Sequence, residues 1–395
     1  MPEQVKETNA DMTGRLTRVA RFPHLRALAW SGDHLYASRG YELLRARIQT
    51  PAPDQIENDS IWQDLAWQPV AKLLPALRRR LSVMNPLTAR LFRDGFHALA
   101  VLPSGGLVAA VPGAIITLSP GESTFRRTHT ILRGTRPLHI TALPYGGAGN
   151  RTNGAIYWGE YFDNPARDAV HIYASTDAGA TWSVAYTFPK GAIRHVHNIV
   201  HDPWQNCLWI LTGDYADECR ILRATCDFSH VESVLQGRQQ ARAVAAIPTE
   251  HGLYFSSDTP LESNYIYRLD RQNLHRQNLD RHEELLQVAP LSSSSIYGCR
   301  VGSHVFFSTM VEPSEVNRDR HVRVYAGKIA SEVDSSSASA WQPLLSWKKD
   351  AWPMGLFQYG NALMPDGINA TPFLALTTIA VESDDQVTSL YSVAP

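Results

Sequence analysis

Four cysteines in 395 residues are too few for a disulfide framework. Cys207, Cys219, Cys226 and Cys299 include no Cys-x-x-Cys pair, and no histidine spacing around them makes a zinc template. They read as small buried strand residues, with a Cys219–Cys226 bridge across one predicted strand left open. Net charge is also missing. The 37 Lys and Arg are balanced by 38 Asp and Glu, which gives no long-range attraction to nucleic acid or to an anionic membrane. There is no apolar run of about 18 residues that could span a bilayer. Met1–Arg18 is polar and carries no apolar core of an export signal. The default expectation is a soluble, cytoplasmic chain with no nucleic-acid and no membrane partner, whose recognition of charge is local.

What the chain does have is a repeat. A turn, a polar residue, an apolar run, a short turn and a second apolar run recur about seven times. The residues heading the runs are Arg26, His97, His139, His197, Arg242, Tyr297 and Gln358, at spacings of 71, 42, 58, 45, 55 and 61 residues. A period of roughly 40–50 residues stretched by insertions predicts an all-β, seven-bladed β-propeller rather than tandem domains. Blade 1 is predicted to hold strands at Arg26–Trp30, His34–Ser38 and Glu42–Ile48. Blade 4 is predicted to hold them at His197–Val200, Leu208–Leu211 and Cys219–Ala224. The last unit runs from near Met354 to Val393, and Arg15–Phe22 is expected to supply its outer strand, so that residues 1–395 form one domain.

A segment at about 67–94 breaks the pattern. Runs starting at Pro69 and Pro86 each place proline at a first helical position and continue with helix formers, so a short helical insertion is predicted between blades 1 and 2. Arg78, Arg79 and Arg80 read as a solvated helix face. The insertion precedes His97 and is expected to wall or lid a pocket near the heading residues. Ser331–Ser339 reads as a polar loop.

Ser175-Thr-Asp177-Ala-Gly179-Ala-Thr181-Trp182 matches the Asp-box pattern Ser-x-Asp-x-Gly-x-Thr-Trp. In such a hairpin Asp177 bonds backbone N–H groups, Gly179 supplies a positive φ, and Trp182 packs beneath the turn. The chain therefore resembles Asp-box (BNR-repeat) propeller proteins. It is similar to propeller polysaccharide lyases of the oligogalacturonate and rhamnosyl-glucuronate type, and more distantly to sialidase-like glycosidases. It lacks the sialidases' Phe-Arg-Ile-Pro motif and has one clear Asp-box. In those families the box stabilises the blade and takes no part in catalysis. The resemblance covers architecture and residue type, not an alignable motif.

Propeller topology gathers residues that are distant in sequence. The innermost strand of each blade starts on one face of the disk and the second strand returns to it. The seven heading residues, together with Arg39, Glu160, Tyr161, Asp214, Asp258 and Glu312, are therefore expected at one mouth. His139, His197, Tyr161, Tyr297, Glu160 and Asp214 are the candidate catalytic groups. Arg26, Arg242, His97, Gln358, Asp258 and His195 are the candidate substrate-binding groups. His195 and His197 share one side of a strand. Three histidines and a glutamine also suit a divalent metal such as manganese, calcium or zinc. The resemblance to oligogalacturonate lyase implies such a set, here His97, His139, His197 and Gln358.

Arginine clamps carboxylates with paired hydrogen bonds, so an acidic oligo- or polysaccharide is the expected partner. The leading reading is a lyase that cleaves uronic-acid-containing saccharide by β-elimination, with His or Tyr moving the protons. A glycoside hydrolase with paired carboxylates from Glu160, Asp214 and Asp258 is the alternative. A non-catalytic glycan- or protein-binding propeller is the third.

Overall fold

The computed structural model describes residues 16–51, 61–62, 65–145, 154–275, 285–330 and 341–394; the Ser331–Ser339 loop lies outside them. Strands dominate, and they form seven sheets, six antiparallel ones of four strands and one of five that includes a parallel pair. The chain is a seven-bladed β-propeller. Blade 4 is typical: its strands are His195–Asp202, Cys207–Gly213, Arg220–Thr225 and Val231–Gln236 in spatial order. Blade 1 holds Arg26–Gly32, His34–Arg39, Glu42–Arg47 and Gln68–Lys72. The innermost strands of neighbouring blades lie against one another around the channel.

The sequence pattern follows from this arrangement. The second strand of a blade is covered on both faces by the adjacent blades, so it reads as an unbroken buried run rather than an alternation. Leu107–Val111, Cys207–Gly213, Gly252–Ser257, His304–Thr309 and Phe373–Ile379 are buried at every position. Each fully buried Leu, Ile or Phe in them contributes roughly 1.5–3 kcal/mol. The outermost strands are partly open to water, as in Arg126–Thr130 and Ser183–Phe188.

Leu16–Pro23 closes the ring by pairing antiparallel with Val387–Val393 as the outer strand of blade 7. Arg18 and Arg21 add ion pairs to Asp384 at 2.9 and 2.8 Å. Among the described residues the four cysteines are free, so no Cys219–Cys226 bridge forms.

The hairpin at Ser175–Trp182 ties blade 3 to blade 2. Asp177 Oδ1 accepts from Thr181 N at 2.9 Å, and Ser175 Oγ accepts from Gly179 N at 2.9 Å. Thr117 Oγ1 donates to Gly179 O at 3.0 Å, and Trp182 Nε1 donates to Thr128 Oγ1 at 3.1 Å. Gly179 has φ +86°, and a Cβ there would come within 2.7 Å of Val108.

The insertion differs from its sequence reading at one end. Pro69 does not start a helix, because Gln68–Lys72 pairs with Glu42–Arg47 as the fourth strand of blade 1. Tertiary pairing overrides local helix preference there. Helices begin later, at α1 (Leu77–Ser82) and α2 (Pro86–Phe92). Asn85 caps α2, accepting from Leu87 N at 2.9 Å, and Pro86 takes the first turn. Arg90 pins α2 to the connection between blades 6 and 7 through Asp350 at 2.6 Å. α2 and the turn before it, Val83 and Met84, line a pocket of about 680 Å3 that Arg26, His97 and Gln358 also line.

Candidate functional site

The mouth holds two side-chain clusters. The first is centred on blade 4. His195 pairs in register with Gly213, so Asp214, the next residue, lies beside it. The ladder slips between Val196 and Asn198, which makes His197 the extra residue of a bulge. Bulges re-aim side chains in this way at functional sites. His195 Nε2 and His197 Nε2 lie 3.1 Å apart, and Asp214 Oδ1 lies 3.6 and 3.4 Å from them. Gly213 makes this possible, since a Cβ would sit 2.7 Å from the His197 ring and 3.1 Å from Arg242 Cγ.

Around this centre, Arg194 donates to Asp214 Oδ2 at 3.1 Å. Arg242 lies 3.5 Å from Asp214 and 3.6 Å from Asp258. Tyr161 packs on His195 with ring centroids 4.3 Å apart. Burial would raise the Asp214 carboxyl, but the facing His195 and His197 nitrogens hold it well below the usual carboxylate range. Asp258 goes the other way. Burial pushes it up to about 7, with Arg242 opposing and Glu312 and Asp214 reinforcing. Burial also raises Glu312, and it lifts Tyr161 to about 12. His197 is lowered by burial and by His195.

The second cluster lines a cavity of about 50 Å3 formed by Arg26, His97, Arg136, His139, Tyr297 and Asp366 with a few apolar neighbours. His139 Nδ1 lies 3.0 Å from Asp366 Oδ2. Burial works to lower the His139 pKa, yet Asp366 raises it above the ordinary value. Arg26 contacts His97 Nδ1 at 3.4 Å, and the other His97 nitrogen sits 2.6 Å from Arg93 O. Burial and the guanidiniums of Arg136 and Arg26 keep His97 well below its usual pKa. Arg136 falls to about 10 through burial and the like charge of Arg26. Burial raises the Tyr297 phenol. Tyr161 feels charges of both clusters, with Asp214 and Asp258 raising its phenol and Arg242 and Arg136 lowering it.

The heading residues therefore divide. Arg26, His97, His139 and Tyr297 share the small cavity. His197 and Arg242 join His195, Asp214 and Asp258. Gln358 lines the wide pocket. Glu160 is in neither cluster: Arg133 Nε donates to it at 3.0 Å, a second Arg133 nitrogen pairs with its other oxygen, and His171 N donates at 2.8 Å. That carboxylate is occupied in joining the strands of blade 3.

The metal set implied by the resemblance does not fit. Among the described residues, His195, His197 and Asp214 form the one group of three His, Cys, Asp or Glu whose ligand atoms converge. His97 and His139 lie with Arg26 and Arg136 instead, an environment set for an anion.

Arg136, Arg194 and Asp366 were not anticipated. Arg194 adjoins His195, a signal that sequence could have given. Asp366 begins a short strand, Asp366–Asn369, which leaves blade 7 and pairs parallel with Arg26–Gly32. Nothing in the repeat marks it.

No family model matches the chain, and no curated protein matches it. Solved structures with a similar fold include a chain from a mitotic checkpoint complex, with a TM-score of 0.52 at 10% identity over 100% of this chain and 99% of that one. A catalytically inactive virginiamycin B lyase from Staphylococcus aureus with quinupristin has a TM-score of 0.51 at 10% identity, covering 96% of this chain and 98% of that one. An ancestral GH74 enzyme has a TM-score of 0.52 at 12% identity, covering 96% of this chain and 45% of that one. At such identities the likeness is one of fold. Among the described residues no helix is long and apolar enough to cross a membrane.

Proposed function

We propose that the protein is a lyase acting on a uronic-acid-containing oligo- or polysaccharide by β-elimination at the propeller mouth. The observation that carries this reading is the composition of the small cavity. Two half-buried guanidiniums, Arg26 and Arg136, face the same space as an Asp-oriented histidine and a phenol held in its protonated form. A cavity of about 50 Å3 suits a carboxylate rather than a sugar ring, while the adjoining pocket of about 680 Å3, which shares Arg26 and His97, suits the rest of a saccharide.

The roles follow from this chemistry. Arg26 and Arg136 neutralise the uronate carboxylate, which makes the neighbouring C–H acidic. Asp366 accepts from His139 Nδ1–H and leaves Nε2 free to take that proton as base. The electron pair of the C–H bond forms the carbon–carbon double bond as the bond to the leaving oxygen breaks. Tyr297 gives its proton to that oxygen. Tyr161 stands next to the opposite cluster and orients the neighbouring sugar.

One observation favours a second reading. Asp214 and Asp258 are shifted in opposite directions on either side of Arg242, as in the acid and base of a glycoside hydrolase. A screen of acidic polysaccharides followed by ultraviolet absorbance and reducing-end release separates the two. A lyase produces both signals and a hydrolase only the second. Neither signal on any acidic glycan that binds would leave a recognition module without catalysis.

A further inference from the structure

The tautomers of His195 and His197 are fixed by backbone. His195 Nδ1 lies 3.0 Å from Phe162 O, and His197 Nδ1 lies 2.9 Å from Ala243 O. A carbonyl oxygen only accepts, so each Nδ1 carries the hydrogen. In the neutral rings both Nε2 atoms are then bare lone pairs, and they face each other at 3.1 Å. Asp214 Oδ1 adds a third acceptor at 3.4 and 3.6 Å. Three acceptors converge with no donor of their own between them. Such an arrangement requires a cation at its centre, either a proton on one ring or a metal ion.

The spacing discriminates between the two. Four donors at 2.0–2.1 Å from a tetrahedral ion stand about 3.3 Å apart. Six donors around an octahedral ion at the same distance stand about 2.9 Å apart. The three separations here are 3.1, 3.4 and 3.6 Å, close to the edges of one tetrahedral face. The surroundings also fit a built ligand set. Each imidazole donates its other nitrogen to a carbonyl, and Arg194 holds the second Asp214 oxygen at 3.1 Å, so every ligand is oriented from behind. Arg242, 3.5 Å from Asp214 Oδ1, is the neighbouring cation, and Asp258 faces it at 3.6 Å.

We infer that His195, His197 and Asp214 bind a four-coordinate divalent ion of the zinc type, with the fourth position open toward the channel. This set shares only His197 with the one the family resemblance implies. The inference stands apart from the lyase reading, because it is tested without substrate. Two His and one carboxylate with an open fourth corner is a donor set suited to zinc over magnesium or calcium, which take all-oxygen shells.

The test uses the full chain, stripped with a chelator and titrated separately with Zn2+ and Co2+. One equivalent of each is expected to bind, with the visible absorption of four-coordinate Co2+ and a rise in melting temperature on loading. Asp214→Asn and His195→Ala should each weaken Zn2+ binding by about 100-fold or more, beyond the 10–100-fold typical of outer-shell changes. His171→Ala, whose ring bonds Thr187 at 2.9 Å outside the cluster, should bind as wild type does. Absence of saturable binding to the wild-type chain would overturn the inference and leave a shared proton between the rings. So would a Co2+ adduct with the weak spectrum of six-coordination, or unchanged affinity in both ligand variants. If a ligand variant fails to fold, the wild-type stoichiometry and Co2+ spectrum decide alone.

Discussion

His139 and Asp366 stand 227 residues apart in sequence and 3.0 Å apart in the fold, Nδ1 to Oδ2. The contact joins the head of blade 3 to a short strand that departs from blade 7, so it exists only because the ring closes. Asp366 raises the His139 pKa above 6.5 against the lowering effect of burial. A group raised on folding contributes stability that is complete below the unfolded pKa, here about 6.5, and is lost as pH rises through the folded value. The base form needed for elimination is populated only above that folded value. Activity should therefore rise with pH through it. In Asp366→Asn the His139 titration, followed by NMR of the ring protons, should move to lower pH. The maximal rate should fall by about 100-fold or more, the scale of a general base held in the wrong tautomer. An unshifted His139 titration would show that the pair does not set its basicity.

The ring and its register were legible in the sequence because both have simple physical causes. Second strands are mostly apolar since both faces of a blade are covered, as at Cys207–Gly213. Each blade also begins at a comparable point, so one residue type per repeat marks the mouth. What the spacing could not reveal is which partner an ionisable group takes across blades. Glu160 occupies the same register as Asp214 and Asp258 yet is taken up by Arg133. His97 and His197 head runs of like appearance, but Arg26 and Arg93 O occupy the first, while a bulge turns the second toward His195. Pro69 looked like a helix start because local preference is silent about the strand waiting at Glu42–Arg47.

Asp258 should make stability depend on pH. Its carboxyl is pushed up to about 7 by burial, from 3.8. The folded state thus holds a proton that the unfolded chain releases, and stability is highest below pH 3.8 and falls as pH rises toward 7. Between pH 4 and 8 this single group accounts for a loss on the order of a few kcal/mol. Urea unfolding of Asp258→Asn should show a flatter profile across that window. An equal fall in the variant would assign the pH dependence to other groups.

Gly213→Ala should damage the first cluster while leaving the propeller standing. The added methyl would meet the His197 ring at 2.7 Å and Arg242 Cγ at 3.1 Å, in a fully buried strand. Overpacking of this kind costs roughly 1–3 kcal/mol, which lowers the melting temperature without abolishing a cooperative transition. The His197 ring must shift, so its NMR signals should move and those of His139 should not. Perturbation of both rings alike would mean that the two clusters are mechanically one.

Removing residues 1–23 should open the ring. Leu16–Pro23 contributes the outer strand of blade 7, and its loss strips one edge of the ladder from Val387–Val393, which keeps its pairing with Phe373–Ile379, and uncovers Leu390 and Tyr391. Val19 and Ala20 also leave the core they share with Trp30, Leu35 and Phe373. Burial of Val19 alone is worth about 1.5 kcal/mol or more, and seven register positions go with it. The ion pairs of Arg18 and Arg21 to Asp384 are exposed on the arginine side and add little. The double variant Arg18→Ala, Arg21→Ala should therefore melt close to wild type. The truncated chain should melt far lower, with blade 7 the first to lose amide protection in hydrogen exchange. If truncation and the double variant behaved alike, the closure would be electrostatic rather than a matter of strand pairing.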